Sequence, residues 1–142
     1  MKKKLTLIIF TSFVLFLTGC TDNNWQGYEI EWNDDMVQIY YFWGDGCPAC
    51  DVQNQFWERL ENNEEYADKI NINKFEVWHN HQNANLMSEV WSQLWRSVEA
   101  VPVIFVWEEK YIWITQEEIK QKLDKCINEG CNDPVREIIE NF

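Results

Sequence analysis

Glycine and proline are scarce in this 142-residue chain, with five and three copies. No segment repeats and no tract is of low complexity, so a fibrous or solenoid architecture and a linker-rich chain are both excluded. Positive charge is also scarce: 12 Lys and Arg stand against 24 Asp and Glu, a formal charge of −12. Lys2, Lys3 and Lys4 all precede residue 20, so residues 20–142 keep 9 basic and 24 acidic residues and carry −15. A surface of that sign disfavours nucleic acid and anionic headgroups as partners. Long apolar runs are missing too. The apolar stretch 5–17 has 13 residues, short of the about 20 that a membrane-crossing helix needs. What the chain does have is tryptophan, nine copies, most of them expected in the core and some on a contact surface for partner proteins.

The N-terminus joins three features of an export signal. A positive n-region (Lys2, Lys3, Lys4) precedes the apolar h-region 5–17, and the run closes on Leu17-Thr18-Gly19-Cys20. This resembles the lipobox of bacterial lipoproteins. The resemblance implies cleavage before Cys20, lipidation of Cys20, and attachment to the cell membrane on its extracytoplasmic side through acyl chains. The division expected is a signal peptide over 1–19, a lipidated tether with a possible edge strand over 20–35, and one domain over 36–142. A chain of this mature length suffices for a single hydrophobic core.

Five cysteines is an odd number for a secreted chain. Setting Cys20 aside leaves Cys47 and Cys50, and Cys126 and Cys131, in a compartment that permits disulfides. Cys47-Pro48-Ala49-Cys50 follows the apolar run 37–43 and opens a helical pattern, which places the first thiol beside unsatisfied backbone N–H groups. Such a field favours thiolate, the reactive species. Cys126 and Cys131 flank Gly130, which reads as a helix stop. A bridge there would staple the last long helix, or would form a second redox pair; connectivity is open at this level.

Along the chain, 28–32 alternates apolar and acidic residues, as a short edge strand does. Residues 36–43 read as a central strand buried on both faces. Val52, Phe56 and Leu60 mark a helix to about Asn62, with Pro48 suited to its first turn. A second strand is expected over 73–78 and a polar loop over 79–85. A long amphipathic helix then carries Leu86, Met87, Val90, Trp91, Leu94 and Val98. A third strand over 101–107, a turn over 108–110 and a fourth strand over 111–114 form a hairpin. Thr115 and Glu118 frame a capping box for a helix with Ile119, Leu123 and Ile127 or Cys126 on its buried stripe. Asp133-Pro134 starts a last short helix.

This order, parallel strand–helix–strand units followed by a hairpin and a helix, together with Cys47-Pro48-Ala49-Cys50 and Val101-Pro102-Val103, resembles the thioredoxin superfamily over residues 36–127. The resemblance implies an α/β fold of thioredoxin type, with a central mixed sheet of four to five strands flanked by helices. It also implies a cis-proline at Pro102 facing the Cys47–Cys50 disulfide, and Val101 offering backbone groups to a bound substrate. Three departures are visible. Gly46 stands where thioredoxins have tryptophan. Tyr41 stands where they bury an aspartate. The central dipeptide is Pro-Ala rather than Gly-Pro.

The chemistry expected is thiol–disulfide exchange with protein thiols and disulfides and with a redox partner protein, without cofactor or metal, by a monomer. Cys47, nearer the helix start and more exposed, is the expected nucleophile, and Cys50 the resolving thiol. Asp45 and Asp51 oppose a thiolate at Cys47, but exposed carboxylates are screened within about 8–10 Å at physiological salt, so the helix terminus dominates. Three alternatives stay open. Cys47 and Cys50 can brace a redox-inactive binding module. The four cysteines can converge on zinc. His79 and His81 can bind metal, although solvated loop histidines are the simpler reading.

Overall fold

The computed structural model describes residues 30, 32–94, 100–106, 109–112 and 116–142, the side chains of 109–112 excepted. The elements run β1 (Val37–Trp43), α1 (Pro48–Glu61), β2 (Ile70–Glu76), α2 (His81–Leu94), β3 (Val103–Val106), β4 (Glu109–Ile112), α3 (Gln116–Glu129) and α4 (Pro134–Glu140). The chain is α/β with a mixed sheet in the order β2-β1-β3-β4. β1 and β2 are parallel, pairing Val37 with Ile70 through Trp43 with Glu76. β3 runs antiparallel to β1, with Tyr40 opposite Phe105, so α2 leads into an antiparallel strand and not into a second parallel unit.

β1 is central because both of its faces are apolar. Alternate side chains point to opposite sides of a strand. Ile39 and Tyr41 enter one core with Phe56, Trp57 and Leu60 of α1 and Ile119 and Leu123 of α3. Tyr40 and Phe42 enter the other with Leu86, Val90 and Trp91 of α2 and Ile138 and Ile139 of α4. Phe42 stacks on Phe75 at 4.9 Å and meets Phe105 edge-on at 6.0 Å, geometries that aromatic quadrupoles favour.

Several boundaries differ from the sequence reading, for local reasons. α2 begins at His81, inside the expected polar loop, because Asn80 Oδ1 accepts the N–H groups of Gln82 and Asn83 at 3.0 and 3.1 Å and so caps the helix. β2 begins three residues earlier than expected, at Ile70, since its ladder follows β1 from Val37. The hairpin register pairs Val106 with Glu109, so β4 takes in Glu109 and Lys110, which the sequence reading put in the turn. Ile30 and Trp32, the described residues of the expected edge strand, lie outside any strand. Cys20, Trp95, Val98, Thr115 and the signal segment fall outside the described residues. Among the described residues, no helix is long and apolar enough to cross a membrane.

α4 is held by its first turn. Asp133 caps it, accepting the Arg136 N–H at 3.0 Å on one oxygen and the Tyr40 hydroxyl at 2.6 Å on the other. Arg136 also pairs with Asp34 at 2.5 Å and Glu140 at 2.8 Å and lies over the Trp32 ring at 4.7 Å.

Candidate functional site

β1 ends at Trp43, and the chain turns through Gly44, Asp45 and Gly46 before α1. Gly46 has φ +82°, a left-handed conformation that glycine adopts without penalty. Cys47 follows as the N-cap of α1. Its backbone is extended (φ −84°, ψ 112°), its carbonyl accepts the Asp51 N–H at 3.1 Å, and its Sγ accepts the Cys50 N–H at 3.2 Å. Pro48 fits the first helical turn, where its missing N–H costs nothing. The sulfur therefore sits at the positive end of the helix, where negative charge is stabilised.

Cys47 and Cys50 form a disulfide with Cα atoms 5.2 Å apart. Cys47 is the more exposed of the two, as expected, but only narrowly: 5% against 0%. The Val101–Pro102 bond is cis, and the Val101 carbonyl oxygen lies 3.8 Å from Cys47 Sγ. Val101 is half-buried and Pro102 buried. The fold thus gathers Cys47, Cys50, Val101 and Pro102, with the sulfur of the capping residue next to a backbone acceptor.

Beneath the disulfide, the Tyr41 hydroxyl donates to the Cys50 carbonyl at 3.1 Å. Burial, and then the charge of Asp51, push the Tyr41 hydroxyl far up. It remains protonated wherever thiols titrate, so it holds the first turn of α1 and does not accept a thiol proton.

Glu76 is the residue that sequence reasoning missed. Its carboxylate accepts four backbone N–H groups: Trp78 at 2.8 Å, His79 at 2.9 Å, Asn80 at 3.0 Å and Asp45 at 3.3 Å. Burial alone would raise its pKa, but the N–H bonds outweigh that and hold the carboxyl below its ordinary value. Glu76 ties the turn before Cys47 to the turn before α2. A sequence hint exists in the acid at the end of a strand followed by a polar stretch, but nothing there indicates the reach to Asp45.

Cys126 and Cys131 form a second disulfide, with Cα atoms 5.0 Å apart across the end of α3, where Gly130 has φ +78°. This pair lines a cavity of about 560 Å³ with Met36, Val37 and Gln38 at the start of β1. Cys47 and Cys50 follow the other end of that strand. The four sulfurs do not converge on one point, which removes the four-thiolate zinc arrangement. His79 and His81 are exposed, and no three metal-ligating side chains stand together among the described residues.

No protein-family model matches the chain, and no curated protein matches it. Among solved structures, one described as "Structure of a malarial protein" is similar with a TM-score of 0.48 and 18% identity, covering 63% of this chain and 96% of that one. A likeness this low decides neither fold family nor function.

Proposed function

We propose that this chain is a thiol–disulfide oxidoreductase of thioredoxin-like fold, exchanging disulfides with protein substrates through Cys47 and Cys50. On this reading a lipid on Cys20 holds it to the extracytoplasmic side of the membrane. One observation carries the proposal: Cys47 Sγ caps α1, accepts the Cys50 N–H, and lies 3.8 Å from the Val101 carbonyl oxygen.

In the reduced protein the Cys47 thiolate attacks one sulfur of a substrate disulfide. A Cys47–substrate disulfide forms and the other substrate sulfur leaves as a thiolate. The Cys50 thiolate then attacks Cys47 Sγ, closing Cys47–Cys50 and releasing the second substrate thiolate. The substrate is reduced by two electrons and the pair oxidised by two; run backwards, the same steps oxidise a dithiol. The helix terminus stabilises the attacking thiolate and also makes Cys47 a good leaving group. The Val101 carbonyl oxygen beside the sulfur supports a role for that backbone in hydrogen-bonding an incoming chain.

A Cys50→Ala variant tests the proposal. It should accumulate mixed disulfides through Cys47, visible on a non-reducing gel and lost in Cys47→Ala. The 5% exposure of Cys47 favours a second reading, a binding module braced by an inert disulfide. That module would trap nothing in either variant, and mild reductant would leave its Cys47–Cys50 bond closed.

A further inference from the structure

Among the described residues, Trp78 is one of the few large apolar side chains on the surface, at 52% exposure. It does not hang free. Its indole lies flat against Gly44, so close that a side chain on Gly44 would overlap the ring carbons. Gly44 is buried beneath it and donates nothing to the surface but backbone, while the Gly44 carbonyl accepts the Cys47 N–H at 3.1 Å. The indole therefore packs on the residue whose carbonyl is bonded to the Cys47 N–H. The turn that carries the indole is pinned on both sides: Glu76 binds the N–H groups of Trp78, His79 and Asn80, and the same carboxylate binds Asp45 in the turn that carries Gly44.

A half-exposed indole held rigidly in a loop forfeits apolar burial unless something covers it in use. A rigid aromatic face also binds at little cost in side-chain freedom. From this placement we infer that Trp78 is a specificity-determining residue, the platform on which an apolar side chain next to the reacting cysteine of a protein substrate packs while its sulfur meets Cys47. Glu76 is a positioning residue that acts through the Trp78 turn. Gly46, just before Cys47, carries no side chain, and the indole from beyond β2 covers Gly44, two residues earlier in the same turn. The inference rests on the oxidoreductase reading above and adds to it the kind of sequence that is preferred.

The full chain carrying Cys50→Ala, reduced beforehand, is mixed with two synthetic peptides. Each holds one cysteine as a mixed disulfide with thionitrobenzoate, and the neighbouring residue is leucine in one and serine in the other. Cys47 thiolate bonds to the peptide sulfur and coloured thionitrobenzoate thiolate leaves, so the two rates give a leucine-to-serine ratio. With Trp78 intact the ratio should favour leucine by about fivefold, the size of one aromatic–apolar contact. Trp78→Ala should bring the ratio close to one, Trp78→Phe should keep most of it, and Glu76→Ala should lower it with the indole still present. A ratio near one in the parent, or one unmoved by Trp78→Ala, overturns the inference while leaving the oxidoreductase reading intact. Release from neither peptide overturns both.

Discussion

Cys47 Sγ and the Val101 carbonyl oxygen, 54 residues apart in the chain, lie 3.8 Å apart in space. The two turns meet because β1 and β3 are neighbours: Phe42, near the end of β1, pairs with Val103 at the start of β3. The antiparallel register thus brings the segment entering β3 against the segment leaving β1. The Cys47 sulfur and its backbone neighbour are placed by the sheet and not by the loops alone.

In the reduced protein Cys47 should titrate below a free cysteine, whose value is about 8.5. The cause is the helix terminus it caps, and Asp45 and Asp51, both exposed, oppose it only weakly. Thiolate absorbance followed against pH in the Cys50→Ala variant measures this. A value at or above the free-cysteine reference contradicts the placement.

The two disulfides should differ in lability. Cys47 heads α1, where a released thiolate is stabilised, whereas Cys126 lies in the last turn of α3 among carbonyls that disfavour it. Under graded reductant, alkylation followed by mass spectrometry should find Cys47 and Cys50 modified first. The second bridge closes a loop with a sequence separation of 5, and replacing Cys126 and Cys131 together by alanine should cost about 2 kcal/mol on the chain-entropy model. Denaturant unfolding checks the figure.

Stability should respond to pH through two carboxyls with opposite signs. Glu76 is held below its ordinary value, so its contribution is present above that value and is lost as pH falls through the lowered one. Asp133 is pushed up, chiefly by burial and against its bonds from Tyr40 and Arg136. Its contribution is present below the ordinary aspartate value and is lost as pH rises through the raised one. Unfolding free energy measured against pH should therefore lose part of its acid-side decline in Glu76→Gln. Asp133→Asn should gain relative to the parent on going from acid to neutral pH. Asp133→Ala, which also removes the helix cap, should cost about 1 kcal/mol.

Tyr41→Phe removes the hydroxyl that donates to the Cys50 carbonyl. It should lower stability by about 1 kcal/mol, the typical worth of one hydrogen bond. It should leave the pH profile of thiol exchange unmoved, because the hydroxyl stays protonated throughout that range. A shifted profile would assign Tyr41 a proton-transfer role. Trp57→Ala, by contrast, empties a fully buried site that packs on Tyr41 at 5.9 Å and should cost about 3–5 kcal/mol.

Much of this architecture is legible in the sequence. The unbroken apolar run of β1 announces a strand buried on both sides, Pro48 announces a helix start, and Asp133-Pro134 announces another. These signals are local, a matter of dihedral preference and side-chain periodicity. Legibility stops where partners are distant. The start of α2 at His81 depends on an Asn80 cap hidden within a polar stretch, and the four bonds of Glu76 depend on two turns being brought together.

The amino-acid order alone marked the Cys47/Cys50 and Cys126/Cys131 pairs as candidates and set the middle of most strands and helices. Spacing and periodicity are properties of neighbours along a chain. The tertiary structure decided that β3 runs antiparallel to β1, that the two cysteine pairs lie toward opposite ends of one strand, and that an indole from beyond β2 covers the turn before Cys47. Those outcomes depend on strand pairing and on burial across the sheet, where groups far apart in sequence compete for the same partners and only the assembled core selects among them.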